Sequence, residues 1–253
     1  MSYSVSTNYH IQTPVSDRPQ EWTARRNFSA TAPKPAPQIV TRRCDVEWLD
    51  SDGQRRHESV VVPALPIFED AFSAFAQGTL IQTAAGYVAI EDLAPGSTVI
   101  AQSGSLETVV WVGSMMLYPR QMDLGLPTAN LFRVVDGSYG HDRAAPDLLL
   151  GPAARILPKR SHDGSPQRLS KPEDIADGMS MVQIFPAAPV RVFHIATSSH
   201  CLIRVNGVFA ETFHPGGNAH LRMSRELFEI YSALFPHMAN LDEFGPLRHQ
   251  RAA

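Results

Sequence analysis

With 22 Lys and Arg against 25 Asp and Glu, the 253-residue chain carries a formal net charge of -3, a balance that points to no nucleic-acid partner. Its 43% hydrophobic content suits one large globular domain or one domain with appendages, yet no apolar run approaches the roughly 18 residues needed to span a bilayer. Two cysteines, Cys44 and Cys201, are too few for a disulfide framework or a structural zinc site, and neither a metal nor a cofactor is assigned.

The opening MSYSVSTNYHIQTPVSDRPQ lacks the apolar core of a secretory signal, which makes the cytoplasm the default location while leaving signal-free export open. Residues 1–38 hold Pro14, Pro19, Pro33, Pro35 and Pro37 with no sustained apolar period, and are expected to be a disordered N-terminal arm. From Ile39 the pattern changes. Cys44, Val46 and Trp48 alternate with Asp45 and Glu47, Ser51-Asp52-Gly53 is a turn, and Val60 to Val62 continue after it, so residues 39–67 read as a β-hairpin leading into the rest of the chain.

The run from Ala74 to Val99, AFAQGTLIQTAAGYVAIEDLAPGSTV, then gives strand, turn, strand and turn. Thr79 to Thr83 is rich in β-formers, Ala84-Ala85-Gly86 breaks it, Tyr87 to Ile90 resumes, and Pro95-Gly96 breaks it again. A further hairpin turns at Gln102-Ser103-Gly104-Ser105 and returns over Leu106 to Val112. Residues 114–129 read as a loop insertion, and Asn130 to Val135 as another strand. Later, Pro172 to Ser180 reads as one helical turn capped by Gly178. Leu227, Phe228, Tyr231, Leu234 and Phe235 share one face of a helix that Ser224 caps and Pro236 stops, while the residues from Pro246 onward are expected to fray.

Phe75, Gly78, Thr79, Ile81, Thr83, Gly86, Ile90, Glu91, Leu93, Gly96 and Val99 all fall on the pattern C-F-x-x-G-T-x-I-x-T-x-x-G-x-x-x-I-E-x-L-x-x-G-D-x-V. The stretch thereby resembles the opening motif of the Hint (Hedgehog/intein) domain, in particular its stand-alone bacterial branch. Trp111-Val112-Gly113 sits where that branch has W-I-G, and DLLLGPAARIL, from Asp147 to Leu157, resembles its D-L-x-V-S-P-x-H-x-V-L. The segment VRVFHIATSSHCLIRVNGVFAETF, from Val190 to Phe213, resembles its closing hairpin, with His194, His200, Asn206-Gly207 and Ala210-Glu211-Thr212 in place. The resemblance implies a mostly β Hint-type fold over residues 68–216, with residues 217–253 as a helical C-terminal appendage.

It also implies what is missing. In active relatives the leading cysteine attacks the carbonyl before it and a histidine activates the scissile amide, but those positions are Ala74 and Ala154 here; Ser97 and Gly151 depart from the pattern as well. The thiolate is the competent nucleophile, so a methyl group ends the reaction at its first step. The catalytic set is therefore expected not to be intact, and Thr79, His194 and His200 are left as residual cleft residues. Cys201 beside His200 is expected to be buried filler, because consecutive strand residues face opposite ways. The expected role is a structural or interaction module with an unidentified protein partner and no enzyme activity. The alternative is self-cleavage by an unrecognised nucleophile such as Ser73.

Overall fold

The computed structural model describes residues 40–119, 130–135, 147–158, 167–216, 223–249 and 251. The expected N-terminal arm and residues 120–129 of the expected insertion lie outside the described residues.

Turn chemistry sets the first hairpin. In β1 (Thr41–Leu49) and β2 (Arg55–Pro63), Thr41 lies opposite Pro63 and Leu49 opposite Arg55. The Asp50 carboxylate accepts from the N–H groups of Asp52 and Gln54, and Gly53 takes φ +70° to close the turn. The other edge of β1 is also occupied, by β7 (Leu106–Leu117), with Cys44 opposite Met115 and Trp48 opposite Trp111. On its far side β7 pairs with β11 (Val190–Thr197), Leu117 lying opposite Val190. Residues 114–117 are therefore strand, where the sequence suggests the start of a loop insertion. Their backbone groups find partners in β1 and β11, which no local pattern announces.

Beyond β11 the sheet continues through β3 (Phe75–Ala76), β9 (Leu148–Leu150), β8 (Leu131–Val134) and β10 (Met181–Ile184). Beyond β7 it runs through β6 (Thr98–Ile100), β4 (Leu80–Thr83), β12 (Leu202–Val205) and β13 (Val208–Glu211), with β5 (Gly86–Ala89) added to β4. The named strand pairs are all antiparallel. The fold is mostly β, as expected.

Strand side chains alternate between faces, and that period divides the interior into two cores. Along β11, Phe193 and Ile195 enter a core shared with Phe75, Ile81, Val99, Leu150 and Ile203. Val192 and Ala196 enter another, with Phe68, Phe72, Trp111, Met115, Tyr231 and Phe235. The second core is covered by α1 (Pro66–Glu69) and α3 (Arg225–Ser232), the Phe68 and Tyr231 rings meeting edge-on at 5.5 Å.

The Ser224 hydroxyl accepts from the Leu227 N–H at 3.3 Å, the N-cap that the sequence suggests. Helix α3 stops at Ser232, short of Pro236, and Leu234 and Phe235 reach the core from a turn. Trp111 Nε1 donates to the Leu234 carbonyl at 2.8 Å, giving the buried indole its polar partner. A smaller correction concerns α2 (Pro172–Ile175): it ends at the extended Ala176, and Gly178, at φ +73°, belongs to the following turn and does not cap the helix.

Candidate functional site

The motif residues hold the β4–β5 hairpin against the closing one, β12–β13. Gly78 sits at φ +85°, and its N–H donates to the Glu91 carboxylate at 2.8 Å. The Leu80 N–H donates to Asn206 Oδ1 at 2.7 Å, and the Asn206 N–H returns a bond to the Leu80 carbonyl at 2.9 Å. Asn206 and Gly207, at φ +43° and +83°, make the tight turn between β12 and β13. Ser97, which stands where the pattern has aspartate, keeps a turn-bonding role because its Oγ accepts from the Ala94 N–H at 3.3 Å.

The Ser73–Ala74 peptide bond, directly before β3, is buried, both residues having no exposed surface. The Ala74 N–H donates to the Phe193 carbonyl at 3.1 Å, and the Ser73 carbonyl accepts from the Ala153 N–H at 3.0 Å. The Gly151 N–H donates to the Ala74 carbonyl at 2.8 Å. The turn at residues 151–154 thus wraps this peptide, and Ala74 and Ala154 lie in the same buried core. A Cβ on Gly151 would stand 2.1 Å from the Ser73 oxygen, so the backbone approach here requires glycine.

Chemically, one part of an acyl-transfer site is present: an N–H aimed at the carbonyl oxygen, the arrangement that stabilises developing negative charge. Positions 74 and 154 contribute methyl groups. The Ser73 hydroxyl donates to the Glu69 carbonyl at 2.8 Å.

The residual cleft residues do not converge on this peptide. Thr79 Oγ1 donates to the Ala76 carbonyl at 2.7 Å, a turn contact. His194 lies among Phe75 and Phe213, edge-on to both, with Nδ1 at 3.2 Å from the Asp70 carbonyl. Burial depresses its pKa to about 4, against opposing hydrogen bonds to backbone groups of Asp70 and Glu211. It is a neutral imidazole at pH 7.

His200 faces a different group. Its Nδ1 accepts from the Arg248 N–H at 3.1 Å, so the proton is assigned to Nε2, which donates to Glu211 Oε1 at 2.9 Å. The Glu211 side chain is only 4% exposed, and Arg251 Nε sits 3.0 and 3.1 Å from its two oxygens. Burial alone would raise the Glu211 pKa, but the His200 hydrogen bond and the Arg251 charge outweigh it and leave the carboxyl below its usual range. Arg155 adds a weaker contact at 3.7 Å.

Glu211 and Arg251 are the residues that sequence reasoning missed as a site. The A-E-T ending was visible, but its cation lies 40 positions further on, in the segment expected to fray. Residues 248 and 251 are instead tied to the closing hairpin.

Cys201 is buried, its Sγ lies 3.6 Å from Thr197 Oγ1, and burial raises its pKa. It therefore has little thiolate character at neutral pH. Among the described residues, no group of three or more His, Cys, Asp or Glu could hold a metal ion, and no helix is long and apolar enough to cross a membrane.

Residues 73–217 match the family model of the Hint domain. The chain belongs to the Hint domain family. Among solved structures, the chain is similar to a bacterial intein-like domain from Clostridium thermocellum, at 17% identity and a TM-score of 0.40, covering 55% of this chain and 99% of that one. It is also similar to the gp41-1 intein, at 11% identity and a TM-score of 0.34, covering 56% of this chain and 98% of that one. A third likeness is to the Msm DnaB1 intein splicing domain bound with zinc, at 15% identity and a TM-score of 0.35, covering 55% of this chain and all of that one (100%). No curated protein matches the chain.

Proposed function

We propose that this Hint domain protein is a non-catalytic structural or interaction module built on an autoprocessing scaffold. The observation that carries the reading is the Ser73–Ala74 peptide: it is buried, both of its polar groups are hydrogen-bonded, and the positions of the family's thiol and imidazole carry methyl groups. Loss of the nucleophile alone costs on the order of 10⁶ in turnover in an unrelated hydrolase. Ser73 is a poor substitute, because its hydroxyl proton is committed to the Glu69 carbonyl and the His194 Nδ1 faces the Asp70 carbonyl. In this reading residues 39–67 and 217–253 are appendages that cover a module of residues 68–216.

Intact mass tests the reading. The purified protein is expected to remain one 27.8 kDa species, and incubation with dithiothreitol or hydroxylamine, which open thioesters and esters, is expected to change nothing. Fragments that join at Ser73–Ala74 would overturn it in favour of self-cleavage.

A further inference from the structure

The contact between Arg251 and the closing hairpin has the form of a receptor with its ligand in place. The guanidinium is engaged through Nε and Nη2. Nε lies 3.0 and 3.1 Å from the two Glu211 oxygens, Nη2 donates to the His214 carbonyl at 2.9 Å, and Nη1 lies over Gly216, where a Cβ would come within 3.5 Å of it. The receiving groups all come from residues 211–216, the last residue of β13 and the segment directly after it. They are rigidly held: the His200 ring fixes the carboxylate, and the His214 ring accepts from the Gly216 N–H through Nδ1 while its Nε2 bonds the Gly245 carbonyl. A planar, multiply donating group suits this arrangement, whereas a lysine ammonium has no matching set of fixed donors.

The incoming side is built differently. Arg251 arrives on a segment without regular secondary structure, held beyond its side-chain bonds by the Arg248 N–H to His200, the His249 ring against the His200 ring and an isolated bridge from Arg251 to Leu169. Among the described residues, removing the guanidinium leaves Glu211 nearly enclosed with only the longer Arg155 contact as an arginine partner, which favours refilling by another guanidinium.

We infer that Glu211, the His214 carbonyl and Gly216 form a guanidinium-binding site, occupied in cis by Arg251 and suited to the arginine side chain of a peptide partner. This deepens the interaction-module reading and rests on it only for the biological use of the site. A tethered group acts at an effective concentration of roughly millimolar, so Arg251 shields the site from dilute external arginine in the intact chain.

Chemical rescue in the full-length protein tests the inference. The Arg251→Ala variant is expected to melt lower than the parent, and N-acetylarginine amide at about ten times its Kd is expected to raise that melting temperature by roughly 3–6 °C. N-acetyllysine amide at the same ionic strength should not, and the parent should respond weakly to either. Glu211→Gln added to Arg251→Ala should abolish the arginine response. If Arg251→Ala does not fold, Arg251→Lys carries the same titration, since it keeps a charge but lacks the planar set of donors. Equal responses to arginine and lysine, or none to either, would overturn the site. Cleavage of the chain would overturn the non-catalytic reading while leaving this melting result to stand by itself.

Discussion

Ala74 supplies the amide side of the buried peptide bond and Ala154 closes the turn that wraps it, and their placement makes the proposed loss of chemistry testable in reverse. The Ser73 carbonyl already accepts from the Ala153 N–H at 3.0 Å, so the electrophile is held in position. The double replacement Ala74→Cys and Ala154→His is expected to give slow, thiol-dependent cleavage after Ser73, measured by mass. Ala74→Cys alone should give little, because the departing amide has no proton donor. Gly151 should stay glycine in that experiment, since any Cβ there would begin 2.1 Å from the Ser73 oxygen. A folded double variant in which the introduced thiol and imidazole lie beyond any shared contact would defeat the assignment of these two positions. The register of the motif points to positions 74 and 154 from the sequence, and the structure brings both into one buried core. The Glu211–Arg251 pair was not legible in the sequence, because nothing local marks which distant cation meets a buried carboxylate.

Hairpins and turns were the elements most readily read from the chain, and the reason is that their determinants are local. Gly53, Gly86 and the Asn206-Gly207 pair adopt positive φ where the sequence offers turn residues, and the strands beside them follow. The length of β7 was not legible, since residues 114–117 become strand by pairing with β1 and β11 from distant parts of the sequence. Gly113 in that strand shows how tightly the element is committed. A Cβ at this position would stand 2.1 Å from the Trp111 ring and 2.7 Å from the Phe72 ring, both of which are buried. Gly113→Ala is therefore expected to destabilise by about 1–3 kcal/mol through overpacking, read as a lower denaturant midpoint with an unchanged slope. An unchanged midpoint would mean that the indole can shift, and with it the Trp111 Nε1 bond to Leu234.

At the scale of the whole molecule, buried histidines link the fold to pH. Burial holds His194 and His237 at a pKa of about 4, and it lowers His214 and His249 as well. The unfolded chain protonates its histidines near the ordinary value of about 6.5. As pH falls below that value, the unfolded state takes up protons that the folded state declines, so stability is lost progressively between about pH 6.5 and pH 4. His194 alone sets a ceiling of about 3 kcal/mol on its share of this loss. Asp70 works in the opposite sense: burial raises its pKa, so its protonation on acidification favours the folded chain, though only as pH approaches the carboxylate range. Glu211, held below its usual value, adds to the loss at the acid end. The net expectation is a urea midpoint lower at about pH 5 than at about pH 7. His237 allows the cause to be isolated. It packs edge-on to Phe235 and Phe244, and neither of its ring nitrogens has a hydrogen-bond partner among the described residues. His237→Phe removes both the unpaired polar atoms and the proton acceptor at similar volume, so it should raise the midpoint more at about pH 5 than at about pH 7. An equal gain at the two pH values would assign the effect to packing alone, and a parent midpoint that does not move with pH would refute the linkage.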